Sequence, residues 1–309
     1  MRNFTNLKDI PTKDLRKILN DAKKRKKKRK NFNTLEADKD QPLKGKLLIQ
    51  MYEKPSSRTR LSFHIAINQL AANSITVKTS EVHLGKGGES LVDTAKILST
   101  YGDAFLLRTN SDKKIEDFSK NLTIPLINLL SPSSHPCQVL SDIFTVEEIK
   151  KKPISKLNIC WIGDCNNVLN SLIAASIKFK FKLNIGCPKN YEPNKDLLSW
   201  VKKNNGKVKI FHDSKKAAKG SDVIFTDKVI SMNDKVNKFR KIKNFKKFKV
   251  TSAVMKCAKK DAIFLHCLPR GPEVSNDVFL GKQSKVFQQA LNRIYVQKSI
   301  LLYCFEKLR

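Results

Sequence analysis

Ser56-Ser57-Arg58-Thr59-Arg60 packs three hydroxyls and two guanidiniums into five consecutive residues. The segment follows an apolar run, Leu47 to Tyr52, and precedes Phe63, Ala66, Ile67 and Leu70 at the i, i+3, i+4, i+7 spacing of a helix face. Hydroxyls and guanidiniums therefore crowd the junction between an expected strand and the N-terminus of an expected helix. Such an N-terminus offers N–H groups without intrahelical partners and a partial positive charge, both suited to phosphate. Arginine adds planar, permanently charged, bidentate donors. The chemistry implied is small-anion binding, phosphate first. A serine N-cap followed by surface arginines is the plainer alternative.

Five further places carry reactive or hydrogen-bonding side chains. His135-Pro136-Cys137-Gln138 sets an imidazole and a carboxamide three residues apart at a helix start, where both can address a carbonyl group. Arg108 follows the apolar run Ala104 to Leu107, and Asp227 follows Val223 to Thr226. Gly163-Asp164-Cys165-Asn166-Asn167 follows another such run; Asn167 can donate to and accept from a zwitterionic amino acid, or cap a helix. His266-Cys267-Leu268-Pro269 puts a thiol at a strand end, either as a packing residue or as part of a site. The Gly163 turn lacks the further glycines of a dinucleotide fingerprint, and no G-x-x-x-x-G-K-[ST] stretch is present to hold ATP. The cysteines of the two His/Cys segments lack metal-ligand spacing and the five histidines are scattered, so no metal is expected.

These residues need elements to position them. Strand-like runs at 47–52, 75–78, 104–107, 124–128, 157–162, 183–187, 208–211, 223–226 and 263–265 alternate with longer helical patterns. Alternation of this kind specifies an α/β fold with mostly parallel sheets. Ligands of open α/β sheets sit at the carboxyl ends of strands, and that rule selects Arg108, Asp164 to Asn167, Asp227, and His266 with Cys267. A length of 309 residues suits two domains. Lysines and a proline at Lys150 to Pro153 separate two series of strands. The expected organisation is a first domain over 1–145, a second over 146–286, and a C-terminal helix over 287–309 packing back on the first. A helix over His135 to Glu148 bridges the halves.

Sixty-one Lys and Arg against 28 Asp and Glu give a formal charge of +33. Charge of that size suggests nucleic acid or an anionic surface. The densest run, Lys23 to Lys30, is eight consecutive basic residues, but the excess continues along the whole chain. No zinc-finger spacing or RNP aromatic motif accompanies it, which argues against a dedicated nucleic-acid role. Seven scattered cysteines fit free thiols in a reducing, cytoplasmic compartment. No stretch reaches the ~18 consecutive apolar residues of a membrane span.

Taken in order, the S-[ST]-R-T-R loop, Arg108-Thr109 after a strand, H-P-x-Q at His135 and H-x-L-P at His266 resemble the aspartate/ornithine carbamoyltransferase family across nearly the entire chain. Three features match its ornithine branch: G-D-x-N-N at Gly163, D-x-x-x-S-M from Asp227 to Met232, and cysteine rather than proline at Cys267. The resemblance implies two domains, each a mostly parallel sheet flanked by helices, joined by bridging helices. It implies carbamoyl phosphate contacts at Ser56, Ser57, Arg58, Thr59, Arg108, His135, Gln138, Cys267, Leu268 and Arg293, with His83 reaching into a neighbouring subunit's site. Ornithine contacts fall on Asn167, Asp227, Ser231 and Met232. Ser57 replaces a usual threonine, and Asn233 stands where glycine usually follows Ser231-Met232.

The implied reaction moves the carbamoyl group of carbamoyl phosphate to the side-chain amine of L-ornithine, giving L-citrulline and phosphate, in arginine biosynthesis. Arg58, Arg108, His135, Asp227 and Cys267 are the implied catalytic residues, with Cys267 orienting the amine rather than attacking covalently. No cofactor is implied, since the donor is already activated. The implied assembly is a homotrimer, or a multiple of it, with shared sites. The alternatives are transfer to another amine, such as N-acetylornithine or putrescine, and a basic nucleic-acid-binding protein on the same fold.

Overall fold

Short apolar runs bounded by polar turns become strands of four to six residues, all paired in parallel. The computed structural model describes residues 1–78, 88–230 and 237–308. Two compact units result: Met1–Ser141 with Leu291–Arg309, and Asp142–Ala290. The division falls inside two continuous helices, at Ser141/Asp142 and Ala290/Leu291, where the sequence suggested 145/146 and 286/287.

The first unit contains α1 (Thr12–Lys28), β1 (Leu47–Tyr52), α2 (Ser57–Gln69), β2 (Asn73–Lys78), α3 (Leu91–Tyr101), β3 (Ala104–Arg108), α4 (Asp112–Asn121) and β4 (Leu126–Leu130). Its sheet runs β2-β1-β3-β4. Every residue of β3 is buried, as expected of a parallel strand covered on both faces. One core joins Ile49, Met51, Phe105 and Leu107 to Ala95, Ile115 and Phe118 of the helices. α5 (Pro136–Lys150) follows, with proline at its first position, where the missing N–H is not needed.

The second unit contains β5 (Asn158–Ile162), α6 (Asn167–Phe179), β6 (Lys182–Gly186), α7 (Lys195–Lys203), β7 (Val208–Phe211), α8 (Ser214–Ala218), β8 (Val223–Thr226), α9 (Lys238–Phe245), α10 (Ser252–Met255), β9 (Ile263–His266) and α11 (Asn276–Phe279). Its sheet runs β7-β6-β5-β8-β9. The last helix, α12 (Val286–Cys304), stops short of the expected end at 309. Glu306 turns left-handed at φ +56°, and Lys307 N–H closes back on the Leu302 carbonyl at 2.8 Å.

Both sheets reverse their winding once. In the first unit the chain goes outward from β1 to β2, then restarts at β3 on the other side of β1. In the second it goes from β5 through β6 to β7, then restarts at β8 beside β5. The crevice at such a reversal is where open α/β sheets bind ligands. The Ser56 loop and Arg108 lie at the first reversal. The Gly163 loop and Asp227 lie at the second.

Candidate active site

In the first unit, Ser56 occupies the N-cap position of α2, but its side chain makes no capping bond. Its hydroxyl instead accepts a hydrogen bond from Arg108 Nη1 at 3.0 Å. The plain capping reading of this serine therefore does not hold. Arg108 is aimed by a slip in the β3–β4 register, where Leu107 pairs with Asn128 but Arg108 pairs with Leu130. Irregularities of this kind redirect a side chain at the end of a strand.

Thr59, in the first turn of α2, is buried and accepts from Arg293 Nη2 at 2.7 Å. Arg293 comes from α12, far away in sequence. Arg58 is half-buried and Ser57 exposed. His135, just before α5, and Gln138, in its first turn, are both buried. Burial, followed by the positive charges of Arg293, Arg108 and Arg58, holds the His135 imidazole well below its ordinary pKa. It is neutral at physiological pH, and a neutral imidazole can offer a substrate a hydrogen bond but not a charge. Cys137, its near neighbour, is an inert thiol: burial pushes it up to about 12 against the pull of Arg293.

In the second unit, Asp227 gathers two partners, one on each oxygen. Cys267 Sγ donates to Oδ1 at 2.8 Å, and Asn166 Nδ2 donates to Oδ2 at 2.7 Å. Asn166 is also the N-cap of α6, its Oδ1 accepting from Val168 and Leu169 N–H at 3.0 and 3.2 Å. The capping role considered for Asn167 thus belongs to Asn166, and Asn167 is the first helical residue. Asp164 anchors the same loop: its carboxylate takes the buried Lys241 ammonium of α9 at 2.7 Å, and its carbonyl accepts from Trp161 Nε1 at 3.1 Å.

Asp227, His266 and Cys267 are the group of three possible metal ligands found among the described residues, their donor atoms lying within 4.8 Å of one another. Both His266 nitrogens are already engaged, Nδ1 by Leu268 N–H at 2.8 Å and Nε2 by Glu273 at 2.9 Å. A cation there would have to break one of these bonds, so the trio does not fit a ready three-ligand site.

Two carboxylates escaped the sequence reading. Glu53, directly after β1, accepts from Thr109 Oγ1 at 2.7 Å, Asn110 N–H at 3.1 Å and Lys114 Nζ at 2.5 Å, tying the Ser56 and Arg108 strand ends together. Burial would raise its pKa, but these donors outweigh burial and hold it low. The second is Glu273, buried against His266. The only available signal was an acid a few residues from a motif. His83, Ser231 and Met232 lie outside the described residues.

Of the Lys23 to Lys30 run, Arg25 pairs with Asp21, Asp38 and Asp40, and Arg29 with Asp38, at 2.8 to 3.0 Å. Part of the most basic stretch is thus structural. No helix among the described residues is long and apolar enough to cross a membrane.

Comparison with known proteins bears on both halves. Residues 2–148 match the family model described as aspartate/ornithine carbamoyltransferase, carbamoyl-P binding domain, and residues 155–304 match its Asp/Orn binding domain. The chain is 42% identical over 305 residues to ornithine carbamoyltransferase of Rhodopseudomonas palustris, covering 98% of this chain and 96% of that one. It is 39% identical to the protein of that name from Agrobacterium fabrum, covering 98% and 97%. Among solved structures, ornithine carbamoyltransferase from Pyrococcus furiosus superposes with a TM-score of 0.90 at 36% identity, covering 97% of this chain and 96% of that one. With both family models matched across nearly its whole length, the chain belongs to the aspartate/ornithine carbamoyltransferase family.

Proposed function

We propose that this chain transfers the carbamoyl group of carbamoyl phosphate to the side-chain amine of L-ornithine, releasing L-citrulline and phosphate. The observation that carries the choice of amine is Asp227 with one carboxylate oxygen on Cys267 and the other on Asn166. A carboxylate so oriented suits a cationic amino acid. The names carried by its relatives agree with that choice.

The first unit holds the donor. Ser56, Ser57, Thr59 and the N–H groups of α2 address phosphate, with Arg58, Arg108 and Arg293 supplying permanent charge. Neutral His135 donates to the carbamoyl oxygen, and Gln138 holds the carbamoyl NH₂. The second unit holds the amine through Asn167, Asp227 and Cys267, with Ser231 and Met232 completing the contacts. The amine's lone pair attacks the carbamoyl carbon and the carbon–oxygen bond to phosphate breaks. The amine's proton passes to a phosphate oxygen, so no strong protein base is required. Arg58 and Arg108 stabilise the charge that develops on the departing phosphate. The reaction as written needs no cofactor.

The working assembly is a homotrimer or a multiple of it, with His83 supplied to a neighbour's site. Exposed apolar side chains on α2, on edge strand β2 and on α3 support an interface there: Leu61, Ile75, Val92, Ile97 and Tyr101 are each more than two-fifths exposed. Arginine synthesis in the cytoplasm is the proposed setting.

A colorimetric citrulline assay with carbamoyl phosphate and a panel of amines tests this reading. Ornithine should be the preferred acceptor over N-acetylornithine, putrescine and aspartate. Absence of citrulline from ornithine between about pH 7 and 9, where a growing share of the amine is unprotonated, would refute it.

A further inference from the structure

Asp227 and Cys267 meet at 2.8 Å, yet each lies on an irregular turn, one after β8 and one after β9. Such turns do not hold a geometry unaided, and the second contains a conformation that side chains resist. Leu268 has φ +61°, in the left-handed region that a non-glycine residue enters at a cost. Something must over-determine it.

The anchor is a buried pair behind the site. Leu268 N–H donates to His266 Nδ1 at 2.8 Å. Nδ1 is therefore an acceptor, the ring proton sits on Nε2, and Nε2–H donates to Glu273 Oε1 at 2.9 Å. Neither side chain of this pair has any solvent exposure. The same carboxylate accepts Gly271 N–H from the β9 turn and, at 3.5 Å, Val229 N–H from the β8 turn. A Cβ at Gly271 would come within 2.8 Å of Glu273 Oε2, so a larger residue there would push on this carboxylate. From the other side, Gln289 Oε1 accepts His266 N–H at 3.0 Å, and Gln289 Nε2 donates to Asp142 at 2.7 Å. One carboxylate thus ties the turn that carries Asp227 to the turn that carries Cys267.

We propose that His266, as its Nε2–H tautomer, and Glu273 are positioning residues for the amine half of the site, fixing the Asp227–Cys267 register without touching substrate. This inference rests on the ornithine reading above. It explains why an acid several residues beyond the cysteine has no solvent contact, and why the histidine of the H-C-L-P segment faces inward.

Glu273→Gln preserves shape and one acceptor but removes the charge that holds the imidazole. In steady-state kinetics it should raise KM for ornithine and lower kcat/KM for ornithine by at least about tenfold, as small misplacements near a reacting group do. Carbamoyl phosphate affinity, measured by equilibrium binding, should fall by no more than about threefold, because Cys267 and Leu268 are its only implied ligands on this turn while Ser56, Thr59, Arg108, His135 and Arg293 belong to the first unit. Equal losses for both substrates would mark a merely structural role and overturn the proposal, as would ornithine constants unchanged within twofold. Wild-type protein that makes no citrulline would instead overturn the ornithine reading, and the inference with it. If the variant does not fold, long-range ¹⁵N–¹H spectra of the wild-type imidazoles decide, with only five histidines to assign. A protonated Nε2 and bare Nδ1 on His266 support the proposal, and the opposite tautomer overturns it.

Discussion

The two units solve the same topological problem with different chemistry. Each places its polar residues where the sheet winding reverses. The first surrounds that point with charges that do not titrate: Arg58, Arg108 and Arg293 around an imidazole that their field and burial keep neutral. The second uses groups that exchange protons or share them, a carboxylate, a thiol and a carboxamide within 2.8 Å of one another's donors or acceptors. A phosphate leaving group needs charge stabilisation that does not vary with pH. An amine that must shed a proton needs partners sensitive to its protonation. The division of labour between the units follows from the two substrates.

The largest expected effect comes from removing fixed charge. Arg108→Ala deletes the partner of Ser56 as well as a proposed phosphate ligand, and should lower kcat/KM for carbamoyl phosphate by roughly 10³-fold. Circular dichroism should show the fold retained. Near-normal activity would show that the first unit does not depend on this guanidinium.

Fixed charge also organises the first unit away from the site, around Asp38. Burial raises the pKa of this carboxylate, but hydrogen bonds and charge from Lys298, then Arg29 and Arg25, prevail and hold it low. A carboxylate depressed in the folded state stabilises the protein above its unfolded pKa, and that stabilisation is lost as pH falls through the folded value. Asp38→Asn should therefore destabilise by about 3 kcal/mol at pH 7, since Lys298 keeps no anionic partner there. In urea melts the gap from wild type should shrink below about pH 4, where the unfolded aspartate is protonated. A gap that is independent of pH would assign the loss to packing instead of charge.

A smaller effect should mark the second unit. Asp227→Asn keeps a hydrogen-bonding group but removes the anion, costing about 2 kcal/mol, or some 30-fold, in kcat/KM for ornithine. The affinity for carbamoyl phosphate should barely move. A variant that lost donor affinity instead would collapse the distinction between the units.

The strands were legible because both sheets are parallel and their strands read as apolar runs between polar turns. Their ends were legible to within a few residues, since a shift such as that of β4 from 124–128 to Leu126–Leu130 alters no apolar pattern. The motif residues were legible as types. Their partnerships were not. Nothing in the sequence joins Thr59 to Arg293, 234 residues away. Nor does it say that Asn166 donates to Asp227. Glu53 and Glu273 were missed because a buried acid tying loops together looks, in sequence, like any surface acid. The net charge misled in the opposite direction, because a count of lysines and arginines does not reveal that Arg25 and Arg29 are held by Asp21, Asp38 and Asp40.

The smallest expected effect is also the sharpest test of the contrast. If His135 worked as a cation, carbamoyl phosphate affinity would fall about tenfold per pH unit above its pKa. Burial first, then Arg293, Arg108 and Arg58, displace that pKa downward, so the imidazole is already neutral throughout pH 6.5–8.5. The three arginines stay charged across the same window. Among the described residues, His135 and these arginines then keep one protonation state across the window. The donor dissociation constant, after allowance for ionisation of the ligand itself, should then stay flat within about twofold, while kcat/KM for ornithine rises with pH as more amine is unprotonated. A slope in the donor constant that vanishes in His135→Gln would mean that the imidazole carries charge after all, and that proton exchange is not confined to the amine half.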